Sequence, residues 1–192
     1  TVLFKIVKRT ALIFLLGYLM YWFPFTGPIG ETRILGVLQR IALCYGFASL
    51  IAHFMHERVV MIVSGILLLL YWYLSMHYGL PGQELTMSGN AGILLDKLVL
   101  GESHMYHGEG IAFDPEGLLS TLPSIVNVLI GFRVGKFIQE KGKTYEGLTH
   151  LMMWGAGFIF LGFMWNYQFP INKKLWTSSF VMLTVGLDMV II

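Results

Sequence analysis

The chain has 192 residues, of which 56% are hydrophobic and only 12% charged, with a formal charge of +2 and a mean hydropathy of +0.69. Soluble domains carry roughly 25% charged residues, so this composition excludes a water-soluble globule and places the chain in a lipid bilayer. The net charge is too small to argue for a nucleic-acid partner, and the single cysteine, Cys44, leaves no internal disulfide.

Six apolar segments predict helices at about 9–25, 34–55, 59–80, 118–139, 148–166 and 175–192. A bilayer offers the backbone no hydrogen-bond partners, so runs of this length must satisfy themselves as helices. The expected fold is therefore all-α, a polytopic membrane bundle of about six transmembrane helices. The chain starts at Thr1 without a methionine and stops at Ile192 inside an apolar run, so it is expected to be one transmembrane domain truncated at both ends.

The second segment, "RILGVLQRIALCY", carries an anomaly. Arg40 lies seven residues beyond Arg33, hence on the same helical face and about 10 Å deeper, with Gln39 beside it. An intramembrane arginine costs several kcal/mol unless paired or wetted, which makes it a functional candidate. The structural alternative is an ion pair with Glu116 or Asp188.

The long connection 81–117 follows. Its "AGILLDKLVLG" (91–101) suits a short interfacial helix. The next stretch, "ESHMYHGEGIAFDPEG", brings two histidines and four acids together. His104 and His107 are candidates for acid–base or sugar contacts. Their spacing does not reach metal-site standard without further ligands, and no metal is expected.

The fourth helix is expected to open at "DPEG", with Asp114 as N-cap and Pro115 as first helical residue. Glu116 then heads a stripe at 116, 120, 124, 127 and 131 (Glu, Ser, Ser, Asn, Gly), spaced to share one face. Ser120, Ser124 and Asn127 can mediate helix packing, but a carboxylate at the head of the row favours a cavity. In the last segment Thr177, Val181, Thr184 and Asp188 share a face, and Asp188 is expected to point into the bundle. Asn172 and Lys173 precede it at the outer surface, with Lys174.

Orientation follows from the basic residues. Lys5, Lys8, Arg9, Arg58, Arg133, Lys136, Lys141 and Lys143 fall on one side; Arg33, Lys97, Lys173 and Lys174 fall on the other. The richer side is expected to be cytoplasmic, which leaves loops 26–33, 81–117 and 167–174 outside.

Three stretches, "ILGVLQRIALCY", "LDKLVLGESHMYHGEGIAFDPEGLLSTLPSIVNVLIGFRVGK" and "INKKLWTSSFV", resemble in this order the transmembrane acetyltransferase family of heparan-alpha-glucosaminide N-acetyltransferase. The resemblance runs from about residue 5 to 185 and suggests a bacterial, inner-membrane member. It implies a multi-helix bundle that carries acetyl groups from cytosolic acetyl-CoA to a glucosamine amine across the membrane. On that reading Asp114, Glu116, Ser120, Ser124, Asn127, His104, Asn172 and Lys173 are candidates for the acceptor, an amino sugar or glycan. Arg33, Gln39, Arg40 and Asp188 are candidates for acetyl-CoA. The family's histidine implicated in catalysis falls in a segment before Thr1, so neither His104 nor His107 inherits its role, and the catalytic residue is unassigned. The rival reading is a sugar transporter, which intramembrane Arg, Glu and Asp also suit. A homodimer is left open.

Overall fold

The computed structural model describes residues 2–142 and 144–192. Thr1 and Lys143, the latter part of the charge count above, lie outside the described residues. Seven α-helices and two short 3-10 turns are present, with no strand among the described residues. They are α1 (Val2–Trp22), α2 (Val37–Phe54), α3 (Glu57–Tyr78), α4 (Ala91–Val99), α5 (Thr121–Lys141), α6 (Tyr145–Asn166) and α7 (Ser178–Ile191).

Each expected apolar segment is a helix. Four of them, α2, α3, α5 and α6, are long and apolar enough to cross a membrane. The count of six spans is not reached on that standard. α7 is apolar but has only 14 residues. α1 begins earlier than expected, at Val2, and so takes in Lys5, Lys8 and Arg9, three charges that dilute its apolar length.

α5 is the centre of the bundle. On one side Ile125 and Leu129 meet Cys44 and Ala48 of α2 and Val60 of α3. On the other, Val126 and Ile130 meet Leu68 of α3 and Val181, Val185 and Met189 of α7. In lipid such contacts hold helices by close packing rather than by escape from water. The same physics explains the α6–α7 pair, where Gly155 and Gly162 face the backbone of α7 and Gly186 faces Gly155 and Ile159.

The loops sort to two ends. At one end Glu57, opening α3, pairs with both Arg133 and Lys136 of α5. At the other end Arg33 reaches the 81–117 loop, and Lys174 reaches Glu109 at 2.8 Å. α4 differs from the expected interfacial helix. Asn90 caps it by accepting from the Ile93 N–H at 2.9 Å. Its face then goes inward, where Ile93 packs with Met105, Phe113 and Leu175. That face belongs to a plug over the bundle, while Leu98 and Val99 at its far end stay exposed.

Candidate functional site

The "DPEG" stretch is not a helix start. α5 begins at Thr121, and Asp114–Gly117 forms a β-turn closed by the Gly117 N–H on the Asp114 carbonyl at 3.1 Å. Asp first, Pro second and Gly fourth are what a type I turn favours. The Asp and Pro that suit a helix cap suit a turn as well, and here the turn wins. Asp114 therefore does not cap α5, and Glu116 does not lie on the helical stripe.

What holds the turn is Arg33. It lies in an extended segment ahead of α2, not on the helix, so the shared face with Arg40 does not exist. Its Nε donates to Asp114 at 2.8 Å and its Nη2 to Glu116 at 2.7 Å. Two rings lie against the guanidinium, Tyr106 at 4.6 Å and Tyr21 at 5.1 Å, contacts that suit a delocalised planar cation. The Asp114 side chain is fully buried and also accepts from the Tyr106 N–H. Burial pushes the Asp114 carboxyl above its ordinary range, with Arg33 opposing the rise. Glu116 is partly open to solvent.

Arg40 occupies the first turn of α2, at the helix end that carries Arg33 and the 81–117 loop. It pairs with neither Glu116 nor Asp188. Its Nη1 donates to the Pro115 carbonyl at 3.2 Å, and its Nη2 to the Ser120 carbonyl and hydroxyl at 2.7 and 2.8 Å. Its guanidinium lies 4.5 Å from the Trp176 ring centre. Its Nε is buried with no partner among the described residues. Buried orphan donors are uncommon, and this one sits where the turn, α5 and α7 converge.

Trp176 is the residue sequence reasoning missed. It stands at φ +55°, a left-handed conformation that costs a bulky residue about 1–3 kcal/mol and collects at functional sites. The "WTSSF" run imposes it. Thr177 donates to the Pro170 carbonyl, Ser178 to Leu68 and Ser179 to Phe169, while Tyr71 donates to Leu175. So braced, Trp176 covers Arg40 and donates from Nε1 to Asn127 Oδ1 at 3.0 Å.

The remaining candidates divide. Ser120 joins Arg40 to the turn, donating to the Pro115 and Gly117 carbonyls. Ser124 spends its hydroxyl on the Ser120 carbonyl at 2.8 Å, within its own chain segment. Asn172 Oδ1 accepts from Lys174 and Leu175 N–H groups and shapes the α6–α7 loop. His104 Nδ1 meets the Thr32 carbonyl at 2.8 Å, tying the loop before α2 to the 81–117 loop. Lys173 is exposed. Gln39 is 0% exposed, its amide unpartnered among the described residues, and it is sealed against Gly17 of α1. Asp188 is exposed rather than interior; it lines a groove of about 330 Å³ between α5 and α7 with Asn127, Gly131 and Gly135. Arg33, Gln39, Arg40 and Asp188 thus do not converge on one place. Among the described residues no group of three metal-capable side chains forms.

Gly117 is required by its neighbour. A Cβ there would lie 2.1 Å from Asp96 Oδ2. Gly117→Ala is therefore expected to displace the turn and lower stability by about 1–3 kcal/mol, as overpacking does. Thermal midpoint and hydrogen exchange across 114–121 would measure it.

These features define a helical membrane bundle, one end of which is closed by an arginine-clamped acidic turn over an arginine–tryptophan–asparagine layer. The chain has a distant similarity to heparan-alpha-glucosaminide N-acetyltransferase. It is similar to the proteins of that name from Mus musculus and Homo sapiens, at 27% identity across 92% of this chain in each case. It spans about a third (35%) of the length of these relatives. No protein-family profile matches it.

Proposed function

We propose that the chain is part of one transmembrane acyltransferase domain in a bacterial inner membrane. It moves an acetyl group from cytosolic acetyl-CoA to the amine of an amino sugar or glycan on the outer face. The N-terminus of the chain is cytoplasmic on this reading. The observation that carries it is the stacking of two polar layers at the outer end. The Asp114–Glu116 turn on Arg33 lies above, with Arg40, Trp176 and Asn127 beneath. The similarity to N-acetyltransferases gives this stack its chemistry.

Amine attack on a thioester needs a cationic amine to be captured and deprotonated, and an oxyanion to be stabilised. Glu116, partly exposed, draws the ammonium. Arg40, with its free Nε donor, suits the acyl oxygen. Asn127 heads the groove toward the other end of α5, which suits the acyl donor's approach. As the amine nitrogen bonds to the carbonyl carbon, the carbon–sulfur bond breaks and the thiolate takes up a proton. The base is assigned to no residue of this chain.

The test uses sealed vesicles holding the whole protein, with labelled acetyl-CoA outside and glucosamine within. Acetylated sugar in the lumen supports the reading. Uptake of unmodified sugar without acetylation replaces it with transport.

Glu116→Gln keeps the size and hydrogen bonding of the side chain but removes the charge. We expect acceptor kcat/KM to fall tenfold or more, about 1.4 kcal/mol of transition-state stabilisation, with the acetyl-CoA KM unchanged. Equal loss for both substrates would remove Glu116 from the acceptor site.

A further inference from the structure

Beneath the acidic turn lies a carboxylate with no part in the chemistry above. Asp96 of α4 is 1% exposed. Its Oδ1 accepts from the Leu118 N–H at 2.9 Å, and its Oδ2 lies against Gly117. It therefore holds the exit of the turn from below, as Arg33 holds its side chains from above. Asp96 and Asp114 line the same small chamber, with Tyr71, Ser120 and Lys174. No ion pair reaches Asp96 among the described residues. Lys97, its neighbour on α4, turns away to Glu102 at 2.6 Å, and Lys174 is taken by Glu109.

We propose that Asp96 is the positioning residue of the acidic turn, and that its ionised carboxylate sets Asp114 and Glu116 in the arrangement that receives the acceptor. An asparagine would satisfy the Leu118 N–H without burying a charge. A charged acceptor, however, holds an N–H roughly twice as strongly as a neutral one. The charge is retained at a cost. Burial raises the Asp96 carboxyl to about 6; the Leu118 N–H pulls it down, Asp114 pushes it up and Arg40 pulls it down. Tyr71 faces it from α3 as a hydroxyl, donating to the Leu175 carbonyl, and adds no charge. The sign follows from the raised value. The protonated form contributes stability that is present below the ordinary aspartate range and lost as pH rises through about 6. The Leu118 hydrogen bond runs the other way: it favours the ionised carboxyl, so on this proposal the turn is gripped more firmly once Asp96 has lost its proton while it stays buried.

The inference rests on the proposed acceptor site, so its test has one arm that needs no activity. Hydrogen exchange of 114–121 in the whole protein, corrected for intrinsic pH dependence, is compared at pH 5 and 8 for the native chain and Asp96→Asn. The native turn is expected to be several-fold better protected at pH 8, and the variant equally loose at both. The variant's thermal midpoint should exceed the native one at pH 8 and converge with it at pH 5. In the kinetic arm, native acceptor kcat/KM rises tenfold or more between pH 5 and 8 with acetyl-CoA KM unchanged. Asp96→Asn stays at the low-pH level. Protection that is flat with pH in the native chain overturns the proposal without any variant. Native acceptor efficiency in Asp96→Asn at pH 8 overturns it as well. A pH-dependent turn with no acetyl transfer at any pH keeps the anchor but overturns its link to an acceptor.

Discussion

Arg33→Ala is expected to abolish acetyl transfer and to loosen the outer end of the bundle while the membrane helices still insert. The substitution strands Asp114, whose side chain has no exposure to water, beside Glu116 with nothing to neutralise either. Removing one partner of a buried ion pair costs about 3–5 kcal/mol. Arg33 and Glu116 keep 15% and 19% exposure, so the lower part of that range applies. The two rings lose their cation as well. Arg33→Lys should recover little, because one ammonium cannot fork to two carboxylates 2.5 and 2.7 Å from a guanidinium. Arg33→Met combined with Asp114→Asn and Glu116→Gln separates stability from function. Deleting a whole buried ionic group is often neutral or stabilising, so the triple variant should regain its thermal midpoint and remain inactive. A triple variant that regains acetyl transfer would show that the cluster only holds the loop.

The helices were legible because lipid leaves the backbone one solution, and every apolar run falls on a helix, although α1 starts seven residues before the expected 9. The polar cluster was legible in part. Asp114, Glu116, Ser120, Arg40 and Asn127 were found as polar residues in apolar surroundings, and they do gather at one end. Their pairing was not legible. Arg33 and Arg40 read as one face of one helix because the apolar run begins directly after Arg33; only the extended backbone before Val37 frees Arg33 to turn toward a loop 81 residues away. Asp114 with Pro115 satisfies the rules for a helix cap and for a turn alike, and only the long-range clamps decide between them. Asp96 was hidden because "LDKLV" looks like an amphipathic helix with a solvated Asp–Lys pair. Trp176 gave one usable signal, four consecutive residues, Trp, Thr, Ser and Ser, ahead of an apolar helix. Buried hydroxyls must donate somewhere, and here they fix the loop that presents the tryptophan.

Arg40→Ala should separate the bundle's stability from its chemistry most cleanly. The carbonyls it serves are not orphaned by its loss. Pro115 still accepts from the Ser120 hydroxyl at 3.1 Å, and Ser120 still accepts from Ser124 at 2.8 Å. Charged hydrogen bonds contribute about 1.5–3 kcal/mol each, and a desolvated cation–π contact about 2 kcal/mol. Burying the guanidinium costs several kcal/mol in the opposite direction. The burial cost offsets these contributions only in part, so insertion should persist with a moderately lowered thermal midpoint. Activity should fall steeply, because the buried Nε and the positive charge beneath the turn both disappear. A hundredfold fall in kcat, about 2.7 kcal/mol, is the size expected for one donor to a developing oxyanion. Arg40→Lys keeps the charge but cannot hold Pro115, Ser120 and Trp176 together, and should lie between the two. Trp176→Phe keeps a ring over Arg40 but drops the Asn127 hydrogen bond, and it should cost less than either. If Arg40→Ala instead retains native turnover in well-inserted protein, Arg40 is only the brace between turn and α5. If it fails to insert, while Arg40→Lys inserts and turns over normally, the charge serves folding and the oxyanion assignment falls.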